Sequence, residues 1–224
     1  MHQLISKKVI IYLCLFFLLA TVNNSSIINL RLPKIEKIKI SGFSLDQNTH
    51  VRDIIESLKS KNIFFINQFE IKKKFFSENV IEELSIFKNY PSTLIIDIKK
   101  TQLLALTNKD GEDYFIGKNG KFIKKNESIY KLPYIFGDLN ISEFLEFKKN
   151  IDKSNFDFKQ ISNLYYYKSK RWDIETTTGY LIKLPREKIS EILNLFVRLS
   201  KEKYFNDKRI IDFRQKDQII LDAK

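Results

Sequence analysis

The sequence predicts an α+β protein in two parts behind a single apolar N-terminal segment, and three observations make that prediction. Short runs from Ile35 onward alternate apolar and polar residues, other windows repeat at helical spacing, and Val9 to Val22 carries no charge. The 224 residues are 43% hydrophobic and 29% charged, enough for one ordinary domain or two small ones with a sizeable core. Four prolines and six glycines exclude a Pro/Gly-rich linker, a collagen-like repeat and a Gly-rich phosphate loop. One cysteine excludes an intrachain disulfide and a cysteine metal cage. With His2 and His50 the only histidines, neither a metal nor a cofactor is expected.

Residues 1–8 read as a short cytoplasmic N-terminus and residues 9–28 as a transmembrane anchor. As a helix, Val9 to Val22 reaches about 21 Å, short of the roughly 30 Å hydrocarbon core, so length alone also permits a cleaved signal segment. Asn23-Asn24-Ser25-Ser26 offers no Ala-x-Ala-like site, however, and Ile27 and Ile28 extend the span, which predicts an uncleaved anchor. Lys7 and Lys8 precede it and no acidic residue comes before Glu36, so the N-terminus is expected inside and the chain after Arg31 outside. Cys14 then lies in the apolar run, and the exported part has no thiol to oxidise. The net charge of +12 fits nucleic acid, an anionic membrane face or an acidic partner. Without Lys7, Lys8 and Arg31 the exported part keeps about +9, displayed where an acidic protein segment or the membrane surface is the better match.

The first exported part, residues 34–101, reads strand, helix, helix, strand, strand. Ile35 to Gly42 alternates with period two. Asn48 or Thr49 caps a helix carrying Val51, Ile54, Ile55 and Leu58, and Asn67 caps a second over Phe69 to Asn79. Two alternating runs then flank Asn89-Tyr90-Pro91-Ser92, with Leu84 and Ile86 before it and Leu94, Ile96 and Ile98 after it.

The second part, residues 102–224, reads as a mixed or antiparallel β domain with flanking helices. Leu103 to Thr107 is a strand, and Tyr114 to Ile116 joins Lys121 to Ile123 through Asn119-Gly120. A connector with Leu132-Pro133 leads to a helix over Ile141 to Ile151. Leu164 to Lys168, Trp172 to Thr176 and Tyr180 to Leu184 follow as strands. Pro185 is expected to begin another helix, whose stripe is Ile189, Ile192, Leu193, Phe196 and Leu199. Ile210 to Phe213 and Ile219 to Leu221 close the chain as strands.

No catalytic constellation assembles, so no catalytic residue is assigned. Ser-x-x-Lys occurs at Ser85/Lys88, Ser128/Lys131 and Ser200/Lys203 without the companion motifs of a serine nucleophile, and such spacing is ordinary chance in a Lys-rich chain. His50, the histidine of the exported part, sits beside a helix start as a polar cap neighbour. Asp110, Glu112 and Asp113 lie in a Lys-Asp-Gly turn without calcium-loop spacing, a solvated hairpin tip. Trp172 and Tyr165-Tyr166-Tyr167 read as strand packing before ligand stacking.

Taken in order, these landmarks resemble the FtsQ/DivIB family of bacterial division proteins, which carry a POTRA domain followed by a β domain. Tyr90-Pro91-Ser92-Thr93-Leu94-Ile95-Ile96-Asp97-Ile98 is similar to the family's aromatic-Pro-x-Thr-Leu-x-Ile hairpin. Phe115 to Phe122, Leu132 to Gly137, Arg171 to Ile174 and Ile211-Asp212-Phe213-Arg214 follow in the family's order and spacing. The resemblance implies a non-enzymatic scaffold of the inner membrane at the division septum, single-pass and type II, with its bulk periplasmic. FtsB and FtsL are the implied partners, other divisome proteins meet the POTRA domain, and nucleic acid is not a partner. It implies strand addition by the FtsB C-terminal segment along Gln218, Ile219, Ile220, Leu221 and Asp222. Arg214 stands at the family's partner-binding arginine, between Phe213 and Gln215, and Lys170 or Arg171 lies near a second basic contact. Gln215 departs from the aromatic common after that arginine. The competing readings are a POTRA adaptor for another envelope client, an envelope enzyme, and an electrostatic binder of membrane or nucleic acid with steep salt dependence.

Overall fold

The structure, a computed structural model, describes residues 7–22, 33–44, 48–125, 131–202, 208–216 and 218–222. Helix α1, Lys7–Val22, has 16 residues and ends where the polar run Asn23 to Ser26 begins. At 1.5 Å per residue it is about 24 Å long. Among the described residues no helix is long and apolar enough to cross a membrane. Of the anchor expected over residues 9–28, this helix is the described part, and residues 23–28 lie outside the described residues.

The first unit comprises β1 (Lys37–Ser41), α2 (Thr49–Leu58), α3 (Gln68–Phe75), β2 (Ile81–Asn89) and β3 (Thr93–Lys100). Its sheet runs β1-β3-β2, with β1 parallel and β2 antiparallel to β3. Leu94, Ile96 and Ile98 of the central strand face Val51, Ile54, Ile55 and Leu58 of α2 and Ile71 and Phe75 of α3 in one buried cluster. Both predicted caps form: Asn48 Oδ1 accepts from Val51 N at 2.9 Å and Asn67 Oδ1 from Phe69 N at 3.0 Å. Helix α3 stops at Phe75, four residues short of the expected Asn79. There the Ser77 hydroxyl donates to Lys74 O at 2.6 Å and Asn79 reaches out to Phe122 O at 2.7 Å, so both side chains compete with helical continuation.

The second unit is a nine-stranded mixed sheet. Its strands are β4 (Leu103–Lys109), β5 (Glu112–Gly117), β6 (Phe122–Lys124), β7 (Tyr134–Phe136), β8 (Ile161–Tyr166), β9 (Trp172–Thr176), β10 (Leu181–Lys183), β11 (Ile210–Asp212) and β12 (Ile220–Asp222). Their order across the sheet is β12-β11-β10-β9-β8-β7-β4-β5-β6. Parallel pairing occurs at β4/β7, β7/β8 and β10/β11. Helix α4 (Ile141–Asp152) connects β7 to β8, and α5 (Ile189–Leu199) connects β10 to β11. Phe144, Phe147 and Ile151 of α4 and Leu193 and Phe196 of α5 share a core with Leu164, Trp172, Ile174, Ile182, Ile211 and Phe213 of the strands. The Trp172 ring stacks on Phe147 with centroids 4.6 Å apart.

Three expectations are corrected here. Tyr134–Phe136, read as connector, is a strand wedged between β4 and β8, and three residues are too few for alternation to signal it. Strand β8 runs earlier than Leu164 to Lys168, because Tyr167 already belongs to a turn: its N–H donates to Arg171 O at 3.0 Å and its carbonyl accepts from Lys170 N at 2.8 Å. Helix α5 starts at Ile189 and not at Pro185, since Leu184 N still bonds Trp172 O and Lys188, at φ 57°, makes the turn into the helix.

Candidate functional site

Strand β12 ends the large sheet. It pairs antiparallel with β11, Asp212 opposite Ile220, Ile211 opposite Leu221 and Ile210 opposite Asp222, and among the described residues no strand covers its other side. Ile219 and Ile220 stay 38% and 50% exposed. An extended strand with solvent on one edge and apolar side chains beside it is a template for another strand.

Alternation sorts the predicted residues onto two faces. Phe213 points into the helix-covered core and is buried. Leu221 shares that face and packs at the core's margin. Lys170, at φ 59°, turns to α4 and pairs with Glu143 Oε1 at 2.7 Å, away from the basic residues it was grouped with. Gln215, Gln218 and Asp222 are exposed around the β11–β12 connection and along the edge.

Arg171 and Arg214 do come together, through residues that sequence reasoning missed. The registers align Tyr165, Asp173, Lys183, Asp212 and Ile220 in a row across β8 to β12. This row crosses the helix-free face with alternating charge. Arg214 Nε donates to both Asp212 oxygens, at 2.7 and 2.8 Å, and its Nη2 also reaches Oδ2. Arg171 lies over the Tyr167 ring, 4.9 Å from its centroid, with Nε 3.8 Å from Asp173 Oδ1. Both of those atoms are buried without a hydrogen-bond partner. Alternation in Trp-Asp-Ile-Glu sets Asp173 opposite the Trp172 face, but which strands lie beside it is decided by distant segments that leave no local signal.

The row's electrostatics follow from burial and these neighbours. Burial pushes the Asp173 carboxyl above the usual carboxylate range, against hydrogen bonding from the Tyr167 hydroxyl and the charges of Arg171, Arg214 and Lys183. Burial also acts to raise Asp212, but the Arg214 side chain and backbone N–H outweigh it and hold that carboxyl below the usual range. Burial and the Asp173 charge push the Tyr167 hydroxyl up. The result is a fixed cationic rim beside an open strand edge, suited to an extended segment carrying carboxylates.

The residues tested for chemistry lie elsewhere. His50 Nδ1 sits 2.7 Å from Glu78 Oε1 beside the α2 cap. Glu112 and Asp113 pair with Lys124 and Lys125 across the β5–β6 hairpin.

Two family models match this chain: "Cell division protein FtsQ/DivIB, C-terminal" over residues 105–214, and "POTRA domain, FtsQ-type" over residues 34–100. The cell division protein FtsQ of Rickettsia bellii is 23% identical over 192 residues, 84% of this chain and 72% of that protein. The cell division protein DivIB of Clostridium botulinum is 28% identical over 146 residues, 64% of this chain and 54% of that protein. The major extracytoplasmic domain of DivIB from Geobacillus stearothermophilus matches 48% of this chain and 98% of its own at 11% identity, with a TM-score of 0.35.

Proposed function

The chain belongs to the family of the bacterial cell-division proteins FtsQ and DivIB, and from that premise we propose that it is a non-catalytic scaffold of the division septum that captures FtsB, and with it FtsL, by strand addition on β12. In this reading α1 and the residues after it anchor a type II inner-membrane protein, residues 34–101 form the POTRA domain and residues 102–224 the β domain.

The observation that carries the proposal is the free side of β12 with Ile219 and Ile220 exposed beside the cationic rim. Backbone groups on that side supply affinity to any extended segment, and side chains select among segments. Arg214 keeps guanidinium N–H groups beyond those spent on Asp212, so it has donors for a further carboxylate on the partner. The POTRA domain stands clear of this edge and serves other divisome proteins.

The test is titration of the full chain, in detergent, with the C-terminal segment of the cognate FtsB. Successive N–H groups along a strand point to opposite sides, so of Ile219→Pro and Ile220→Pro one removes a donor to the partner. Saturable binding that is lost in that variant and weakened at least about tenfold by Arg214→Glu is the expected result. Absence of binding to wild type, or binding indifferent to all three changes, overturns the proposal and leaves a POTRA adaptor for another client.

A further inference from the structure

A second exposed apolar surface lies at one end of the first unit. Phe65 and Phe69 are 77% and 76% exposed, Tyr90 55% and Phe64 48%. Phe64 stacks on Tyr90 with centroids 5.0 Å apart, and Lys88 Nζ donates to Phe64 O at 3.2 Å, which ties the α2–α3 loop to the β2–β3 hairpin. Phe64 and Tyr90 form one exposed stack, and Phe65 and Phe69 stand in water on the adjoining loop and the first turn of α3, more exposed aromatic surface than a monomeric soluble unit ordinarily keeps. The charge around it is mostly basic: residues 61–74 hold Lys61, Lys72, Lys73 and Lys74 against the single acid Glu70, with Glu36 held at the hairpin by the Ser92 hydroxyl at 3.2 Å.

The same end receives the chain from α1. Ile63 N donates to Pro33 O at 3.3 Å, Lys34 bridges to Asn62, and Ile35 N donates to Lys61 O at 2.9 Å. Phe64 follows directly on that contact. Only residues 23–32 separate Val22 from Pro33, a stretch that covers at most roughly 40 Å however it runs. An apolar helix and an aromatic, lysine-rimmed surface are thus tethered end to end.

We infer that this end, with Phe64, Phe65, Phe69 and Tyr90 set among Lys61, Lys74 and Lys88, docks on the anionic lipid surface of the bilayer that holds α1. The inference rests on the membrane anchorage proposed above. Aromatic rings favour the interfacial zone between hydrocarbon and headgroups, and lysine stems lie along the apolar zone while their ammonium groups meet lipid phosphates. The tether keeps the patch near that surface at high local concentration, so weak contacts suffice.

The test reconstitutes the full chain in vesicles of phosphatidylethanolamine and phosphatidylglycerol containing brominated lipid, a contact quencher of tryptophan. Wild type, whose one tryptophan is the buried Trp172, sets the baseline. Phe65→Trp and Phe69→Trp report on the patch and Tyr12→Trp on α1. The expected result is about a twofold drop in the emission added at position 65 or 69, relieved when phosphatidylcholine replaces phosphatidylglycerol or when Lys61 and Lys74 become Glu. Quenching at Tyr12→Trp without quenching at either patch position overturns the docking while keeping the anchor, and turns the patch over to a protein partner. Quenching at the patch without quenching at Tyr12→Trp upholds docking and removes the anchor. Quenching at none of the three overturns both.

Discussion

The Arg214 guanidinium folds back onto the Asp212 carboxylate of the strand it has just left, Nε lying 2.7 Å from Oδ1. This cation is therefore positioned by β11, the strand on which β12 itself rests. Asp212 is nearly buried and Lys183 stands opposite it on β10, so removing its charge leaves two cations facing each other. Asp212→Ala is expected to cost about 1–2 kcal/mol, the lower end of the range for a lost buried pair because Arg214 remains partly solvated. Since the Asp212 carboxyl is held below its ordinary value in the fold, its contribution is present above the normal aspartate range and fades as pH falls through the folded value. Urea unfolding of both proteins should show a gap at neutral pH that narrows in acid.

Asp173 carries the opposite sign. Its carboxyl is pushed up by burial, so the fold prefers it protonated. Stability from this group is present below the unfolded aspartate value and is lost as pH rises through the folded one. Asp173→Asn keeps the shape without the charge. The variant should gain on wild type in urea unfolding as pH is raised from about 3 to about 7, and a gain that is constant with pH would refute this account.

Gly137 ends β7 at φ 111°, and a Cβ there would sit 2.2 Å from Tyr166 O on the neighbouring strand. Backbone cannot yield as a flexible side chain can. Gly137→Ala is expected to destabilise by about 3 kcal/mol or more, through close contact and strained φ together. Gly111→Ala, with open space around its Cβ position and φ 84°, should cost about 1 kcal/mol. Thermal unfolding of the two variants side by side checks the difference.

The joint between the units is a set of side chains bonded to backbone. Asn119 Nδ2 donates to Asn79 O at 2.8 Å and to Ile81 O at 3.3 Å, Asn79 Nδ2 donates to Phe122 O, and Lys121 Nζ reaches Phe76 O at 2.8 Å. Asn119→Ala is expected to lose about 1–2 kcal/mol and to speed amide exchange in residues 79–81 and 117–122, while the cores exchange as before.

Local signals carried most of the fold. Asn48 and Asn67 announced their helices because a cap is a contact within three residues, and the runs around Tyr90-Pro91 announced a hairpin because alternation shows in each strand alone. Strand β7 escaped because it is three residues long and parallel to both neighbours, so its pairing is settled by distant segments. For the candidate site, the ordered resemblance pointed to the residues around β12 and to Arg214, which the structure sets at one end of the large sheet. Lys170 and Phe213 were not separable from it, since their directions depend on the Lys170 turn and on the core under α5. The carboxylates of Asp173 and Asp212 escaped for the same reason as β7.

The two ends of the nine-stranded sheet are not equivalent. At the β6 end Asn79 of the first unit caps the Phe122 carbonyl, whereas β12 has no such cover among the described residues. Sheets that grow from copy to copy need an open border at both ends, one to give and one to receive. Here the β6 border already has one carbonyl bonded within the molecule, so growth of copy upon copy, β12 onto β6, would first have to break that bond.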